Sequence, residues 1–304
     1  MFFQALILSA ALVASPPPSL GNLQLESAQS RVNANPSDAA AHYDLCRAFY
    51  DLEDWDAAIT QCEQAVKHDP RATYEDMLGR VYGAKAEQSS WYQAVGYAKR
   101  TRAAFEAAVA ADPKNVAARR DLADYYNEAP AMLGGGKDKA LQQAAALDKI
   151  SPSGAAYIRA RVAETTGDKM KAEQLFKDSV KLSGADSAAA LSELASFYRR
   201  EQRYDDMQAT IDRLAADPRP GVALYDGAAM LIRAGRNLPG AIKMLDRYIG
   251  FGGTDEEPIY RALYQLGLAY QKSGDNANAQ AKWKKSTDIA DFAPAKKALK
   301  DLVR

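Results

Sequence analysis

Apolar residues recur along most of the chain at the spacing of amphipathic helices. The repeated pattern is a small residue, an aromatic residue three positions later and an alanine nine positions after that. Because residues three or four apart share one face of an α-helix, each copy predicts two helices, the second of which contains the alanine. Small residues on the facing sides let these antiparallel helices approach closely. The clearest copies are Cys46, Phe49 and Ala58 in one stretch and Gly267, Tyr270 and Ala279 in another.

Seven related copies cover most of the chain, which predicts a repeat protein that is helical throughout. Consecutive copies are 33 to 44 residues apart. Alanine is abundant between them and favours helix, because it loses no side-chain entropy there. The small position of the seven copies falls at Cys46, Gly79, Ala123, Ala160, Ala195, Ala229 and Gly267.

These residues and their spacing resemble the tetratricopeptide repeat, a helix-turn-helix unit of about 34 residues. The resemblance implies an all-α fold, a right-handed superhelical solenoid of about seven helix-turn-helix repeats with a C-terminal capping helix. It divides the chain into an N-terminal half-repeat or cap at residues 22–38, a solenoid at residues 39–291 and the capping helix at residues 292–304. Stacked repeats bury one continuous core and present an extended concave face.

Two copies are longer than the others between their first and second helices. The second copy has ten extra residues near residues 86–97, and the third has five at residues 129–136. We expect both insertions at one edge of the solenoid, where inserted residues often belong to a binding face. The two insertions, with the sequence around them, also resemble those of a group of exported bacterial tetratricopeptide proteins of unknown function. This likeness implies export and the same repeat architecture. The expected insertion surface contains Trp91, Tyr92, Met132 and Leu133.

Residues 1–21 predict an export signal. An apolar run occupies residues 1–15 and is followed by three prolines and by small residues. The run is shorter than the roughly 20 residues that a membrane-spanning helix needs. We therefore expect an exported protein, periplasmic or secreted, whose mature form has no integral membrane span. An uncleaved N-terminal membrane tether and an N-terminal core helix are the alternatives.

The charge balance bears on the choice of partner. The 39 basic and 39 acidic residues cancel, so no bulk charge favours nucleic acid or an anionic membrane. We expect the partners to be other proteins or peptide segments, of the cell envelope if the protein is exported, and we expect no nucleic acid.

The two cysteines, Cys46 and Cys62, fall on the two facing helices of the first copy. An even number of cysteines in an exported protein favours a disulfide. Two free thiols in the core are the alternative, since cysteine packs well as a small apolar residue.

The stretch "LGGGKDKA", residues 133–140, invites comparison with a phosphate-binding loop. Such a loop needs Gly-Lys-Ser/Thr between a strand and a helix, whereas Lys137 is followed by Asp138 and a helix precedes the glycines. The glycines are typical of a turn between helices. His42 and His68 belong to no cluster with metal-ligand spacing, so the sequence predicts no metal, no cofactor and no catalytic residue.

Arginine and tyrosine occupy positions of the N-terminal four copies that line the concave face in the family. Arginine forks and tyrosine rings suit a groove that grips carboxylates and peptide backbone. The alternative is that Asp76, Asp124 and Glu164 neutralise these arginines as internal ion pairs. The expected partner-binding residues are Arg47, Arg80, Arg120, Arg161, Tyr43, Tyr50 and Tyr157.

We expect a non-catalytic scaffold that mediates protein–protein interaction through its concave groove. The alternative is a small-molecule binder or an enzyme whose pocket is formed by the two insertions, with Glu87 and Glu128 as its acids. In a third interpretation, the insertions only cover the edge of the solenoid.

Overall fold

A computed structural model describes residues 20–216, 221–254 and 257–302, and these residues form sixteen α-helices and two short 3-10 turns. The predicted export signal lies outside the described residues, apart from its last two. The helices are α1 (Leu20–Ala34), α2 (Ala39–Asp51), α3 (Trp55–His68), α4 (Ala72–Glu87), α5 (Trp91–Ala111), α6 (Val116–Glu128), α7 (Lys137–Leu147), α8 (Pro152–Thr165), α9 (Lys169–Ser183), α10 (Ala188–Arg200), α11 (Tyr204–Ala215), α12 (Val222–Ala234), α13 (Leu238–Gly250), α14 (Ile259–Lys272), α15 (Asn276–Ile289) and α16 (Ala293–Leu302).

Short polar residues start many of these helices. Asp38 accepts a hydrogen bond from the Ala41 amide at 2.9 Å, and Asn115 accepts one from the Ala118 amide at 3.1 Å. Each cap satisfies an amide that has no partner within its own helix. The same arrangement is found at Asp54, Ser151, Asp168 and Asp275.

Consecutive helices pack in antiparallel pairs, from α2 with α3 to α14 with α15. The first helices of the pairs also contact one another: α2 with α4, α4 with α6, α6 with α8, α10 with α12, and α12 with α14. We call the surface formed by these first helices the inner wall. This all-helical array of repeated pairs confirms the predicted fold class, an α solenoid.

Small residues of the repeated pattern do allow the helices of a pair to approach closely. Gly267 of α14 lies against Trp283 of α15, and a Cβ added at Gly267 would come within 2.2 Å of the Trp283 indole nitrogen. Gly79 of α4 lies against Phe105 of α5 in the same manner, with the ring 2.5 Å from such a Cβ. A larger residue at either glycine would push the two helices apart.

The first and last repeats of the array lie against each other. Leu52, in the turn between α2 and α3, packs against the apolar cluster of α14, α15 and α16, which contains Tyr260 and Trp283. The Asp51 carboxylate lies 3.8 Å from the guanidinium of Arg261 on α14, and α1 contacts α15. The array therefore returns on itself and encloses the inner wall.

Residues 86–97 are almost entirely helical, which differs from the expected loop. Residues 86 and 87 end α4 and residues 91–97 begin α5, so only residues 88–90 connect the two helices. The segment contains no proline, and nothing in its sequence terminates a helix before Gln88. The ten extra residues therefore lengthen both helices by about a turn or more.

Candidate functional site

A cleft of about 820 Å³ opens in the inner wall. Its lining comes from α2, α4, α5, α6 and α10 and from the turn after α6, so three adjacent repeats and a more distant one contribute. We call it the inner cleft. Among its lining residues are Tyr50, Arg80, Glu87, Phe105, Ala117, Arg120, Asp121, Asp124, Glu128, Leu133 and Glu193.

The arginines predicted to grip a partner are held by acidic side chains of the protein itself. Arg80 Nε lies 2.6 Å from Asp121 Oδ2 and 3.2 Å from Asp76 Oδ2. Arg120 pairs with Glu193 at 2.9 Å, which joins α6 to α10 across the wall.

Arg161 lies deepest of the predicted arginines and pairs with several carboxylates. Its guanidinium is 2.6 Å from Glu164 and 3.6 Å from Asp124, and it also contacts Glu128. Arg47 is half-buried and has an interaction of its own. The geometry thus matches the alternative of internal ion pairs for Arg80 and Arg161, and Arg80 and Arg120 still form part of the cleft wall.

The predicted tyrosines divide between the core and the cleft. Tyr157 is buried, donates its hydroxyl proton to Asp124 Oδ2 at 2.7 Å, and carries the Arg120 guanidinium 3.8 Å above its ring. Tyr43 stacks on Tyr74 with ring centroids 4.6 Å apart. Of the three predicted tyrosines, Tyr50 is therefore the one that lines the cleft.

Two carboxyl groups near the cleft have raised pKa values. Burial, and then the neighbouring carboxylate of Asp121, raise the pKa of Asp76 to about 7, although Arg80 opposes the shift. Burial raises the pKa of Asp124 to about 6, against the hydrogen bond from Tyr157 and the charge of Arg161. Both groups are thus costly to ionise although each has an arginine partner.

Residues of both insertions line the cleft, but most of their large side chains stay outside it. Arg102 of α5 donates to the Leu133 carbonyl at 3.3 Å, and Glu87, Glu128 and Leu133 line the cleft together. Trp91 and Met132 are more than four-fifths exposed, and with Tyr92 they are absent from its lining. The pocket of the enzyme alternative therefore has both predicted acids but not its predicted aromatic wall.

The triple glycine forms a tight turn after α6. Gly134 has a φ of +90°, which favours glycine, and a Cβ added at Gly135 would come within 1.8 Å of the Ala129 carbonyl oxygen. The Gly136 amide donates to the Tyr126 carbonyl at 2.8 Å and ties the turn to α6. The expectation that these glycines connect two helices agrees with this geometry.

Lys137, the residue that suggested a phosphate loop, is used within the fold. Its ammonium donates to the side-chain oxygen of Asn127 at 2.9 Å, to the Thr165 hydroxyl at 2.8 Å and to the Asn127 carbonyl. It joins the end of α6 to the end of α8. A phosphate group would have to compete with three internal acceptors.

Lys137→Met is expected to lower the free energy of unfolding by about 1–3 kcal/mol, because the acceptors at Asn127 and Thr165 lose their donor. Urea unfolding followed by circular dichroism measures the change, with Lys149→Met as the exposed control. Unchanged stability in Lys137→Met, together with a wild-type melting temperature that rises in phosphate, would contradict this role.

Comparison with known families identifies the repeated unit. Two family models, both described as tetratricopeptide repeat, match residues 24–73 and residues 260–292. These segments cover the first and last helix pairs of the array. Both matched segments are tetratricopeptide repeats, so the chain contains this repeat. Such repeats are typical of scaffolds that bind other proteins, and proteins of this fold are generally not enzymes.

Several solved structures are similar to this chain. One, a tetratricopeptide repeat protein from Parabacteroides merdae, is 18% identical; the match covers 88% of this chain and 99% of that chain, with a TM-score of 0.43. The C-terminal part of a repeat protein from Cytophaga hutchinsonii is 14% identical, with 93% and 98% coverage and a TM-score of 0.40. Human IFIT1, in a dimer with m7Gppp-AAAA, is 12% identical, with 88% and 68% coverage and a TM-score of 0.48. No curated protein matches the sequence significantly.

Cys46 and Cys62 form a disulfide in the first repeat, with their Cα atoms 5.2 Å apart. The bond joins α2 to α3, and both residues are fully buried in the apolar cluster of the first two repeats. Of the two alternatives for these cysteines, the structure has the disulfide.

The described ranges contain neither a membrane-spanning helix nor a metal-binding cluster. No helix there is both long enough and apolar enough to span a membrane. Likewise, within residues 20–216, 221–254 and 257–302, no three His, Cys, Asp or Glu side chains are grouped so that they could hold a metal ion.

Proposed function

We propose that this protein is a non-catalytic scaffold that binds a segment of another protein in the inner cleft. The observation that carries the proposal is the cleft itself, a preformed opening of about 820 Å³ in the inner wall. Stacked helical repeats present curved surfaces of this kind to extended segments and helices. The rings of Tyr50 and Phe105 stand beside charged groups in its wall, and tyrosine and phenylalanine are enriched at protein interfaces.

The arginines have a different role in this proposal from the one expected of a gripping fork. Arg80 and Arg120 are held by Asp121 and Glu193. Releasing either arginine to a ligand would leave a carboxylate without its partner, which is costly at a partly buried position. The two arginines therefore stabilise the wall of the cleft, and more exposed side chains at its rim contact the partner.

The proposal includes export, with a partner in the cell envelope. The apolar run at residues 1–15 supports it. The disulfide between Cys46 and Cys62 supports it as well, because disulfides persist in oxidising compartments. The mature protein would be periplasmic or secreted, or held by an uncleaved N-terminal segment.

A small-molecule ligand is the second candidate. The cleft volume lies within the range of about 300–1,000 Å³ that is usual for ligand pockets, and Glu87 and Glu128 both line it. Native mass spectrometry of protein purified from its host distinguishes the two candidates, since a retained compound of one defined mass would favour the small molecule.

Ala117→Trp is expected to reduce capture of the partner at least about tenfold. Ala117 is exposed on the first turn of α6 and lines the cleft, so an indole there fills the opening without entering the core. The measurement is recovery of partner proteins from a cell-envelope extract by immobilised full-length protein.

Ala281→Trp is the matched control. Ala281 is an exposed alanine of α15 outside the cleft lining, so the control introduces the same side chain at a comparable helical position. Equal recovery by wild type and both variants, all with wild-type melting temperatures, would remove the cleft from the account.

A further inference from the structure

The inner cleft has a local excess of negative charge. Its lining contains the guanidinium groups of Arg80 and Arg120 and five carboxyl groups, those of Glu87, Asp121, Asp124, Glu128 and Glu193. The whole chain has equal numbers of basic and acidic residues, so this excess belongs to the cleft. Arg161 pairs with Asp124 and Glu128 from behind the lining and reduces the excess by one charge.

Two of these carboxylates stand where a helix itself disfavours them. Glu87 is the last residue of α4 and Glu128 is the last residue of α6. The C-terminal end of a helix has a partial negative charge that favours cations and disfavours carboxylates. α4 and α6 are neighbours in the inner wall, so both helix ends and both carboxylates face one cleft. The arrangement reduces stability locally and attracts a cation.

A third carboxyl group, that of Asp76, lies beside the cleft, and its hydrogen bonds are incomplete. Asp76 is 7% exposed, and in the part of the chain that the structure describes its Oδ1 atom has no hydrogen-bond partner. Its other oxygen shares Arg80 with Asp121, a cleft residue. The Arg80 guanidinium thus pairs with two carboxyl groups and can neutralise only one negative charge. The raised pKa of Asp76 is consistent with this.

The cleft also has an apolar portion that suits long cationic side chains. Pro130, which is exposed, and Leu133 lie in the same wall as Glu87 and Glu128. Lysine and arginine place their aliphatic stems on apolar surface while the charged ends reach polar groups. A small metal ion would use the carboxylates but not this apolar surface.

We infer that the segment bound in the inner cleft is cationic: lysine or arginine side chains of the partner enter it, their stems against Pro130 and Leu133 and their charges against Glu87 and Glu128. This inference rests on the proposed function, because it names the chemistry of the proposed partner. It differs from the expectation that arginines of this chain grip carboxylates of the partner, since those arginines are already paired.

The test uses three fluorescent 15-residue peptides that differ only at four positions, which carry lysine, glutamine or glutamate. Fluorescence anisotropy with the full-length protein gives the affinity of each peptide. We expect the lysine peptide to bind at least tenfold more tightly than the other two and to weaken as salt rises, because exposed charges are screened. Glu87→Gln/Glu128→Gln is expected to weaken the lysine peptide at least tenfold and to keep or raise the melting temperature.

Asp291→Asn/Asp301→Asn is the control, because it removes two negative charges that pair with Lys296 and Lys297 near α16, outside the cleft lining. Equal weakening by this control would overturn the inference, as would spermidine binding as tightly as the lysine peptide, which would make the ligand a free polyamine.

The peptide series also separates the inference from the proposed function. If the glutamate or glutamine peptide binds most tightly and Ala117→Trp blocks it, the cleft binds segments but the cationic inference is wrong. If no peptide responds to Ala117→Trp, both the inference and the proposed function fail.

Discussion

Trp283→Ala is expected to lower the free energy of unfolding by about 3–5 kcal/mol. Trp283 is fully buried and fills the space beside Gly267, and its indole nitrogen donates to the Tyr264 carbonyl at 3.1 Å. The substitution removes this packing and the hydrogen bond of the indole, and it leaves a cavity. The same apolar cluster receives Leu52 from the first repeat, so we expect contacts between the two ends of the array to weaken too.

Urea unfolding followed by far-ultraviolet circular dichroism measures this change. The matched control is Trp91→Ala, because Trp91 is 81% exposed and its removal should change stability by no more than about 0.5 kcal/mol. Similar losses in the two variants would mean that Trp283 is not the buried centre of the last repeat.

Cys46→Ala/Cys62→Ala is expected to lower the free energy of unfolding by about 3 kcal/mol, because a cross-link across 16 residues restricts the unfolded chain. Dithiothreitol should lower the stability of the wild type by a similar amount and should not affect the double variant. Urea titrations with and without the reductant measure both effects.

Mass spectrometry after alkylation in urea without reductant is the accompanying check, because unfolding exposes both buried residues. We expect no modified cysteine in the wild type under these conditions and two after reduction in urea. Two alkylated cysteines without reductant, or a wild type that is equally stable with and without dithiothreitol, would contradict the disulfide.

Local sequence patterns predicted the helix pairs because the interactions that specify them are close in sequence. The cap at Asp38 lies within one turn of the helix that it starts, and Gly267 meets Trp283 in the adjoining helix. Such short-range features recur in each copy, so their period is visible in a single sequence. The pairing of Cys46 with Cys62 is equally local, and the spacing indicated it without deciding it.

The contacts that define the cleft were less predictable because they join distant residues. Glu193 reaches Arg120 from 73 positions away, and no pattern in the sequence marks it. The approach of Leu52 to the last repeat depends on the accumulated rotation of the whole array, which small differences in each repeat determine. In the sequence, only Glu87 and Glu128 indicated the acidic character of the cleft. Their unfavourable position at helix ends can be recognised only when those ends are known.

The prediction for the extra residues near 86–97 was wrong because the spacing of the family outweighed the local sequence. An excess over the expected interval indicated a longer connection between the helices, whereas the absence of proline between Tyr82 and Tyr97 permits continued helix. In the structure, α4 continues to Glu87 and α5 starts at Trp91. The shorter insertion, which contains a proline and three glycines, forms a turn between α6 and α7.

Site-specific photocrosslinking tests the central claim, that the inner cleft holds a segment of a partner protein. A photoreactive amino acid replaces Ala84, which lines the cleft, or Ala281, which is exposed on α15. After irradiation in the native host, mass spectrometry identifies the crosslinked peptide. We expect position 84 to give one recurrent crosslinked peptide that contains lysine or arginine. This peptide should be lost in Glu87→Gln/Glu128→Gln and absent from position 281. The same products from both positions, or none from position 84, would contradict it.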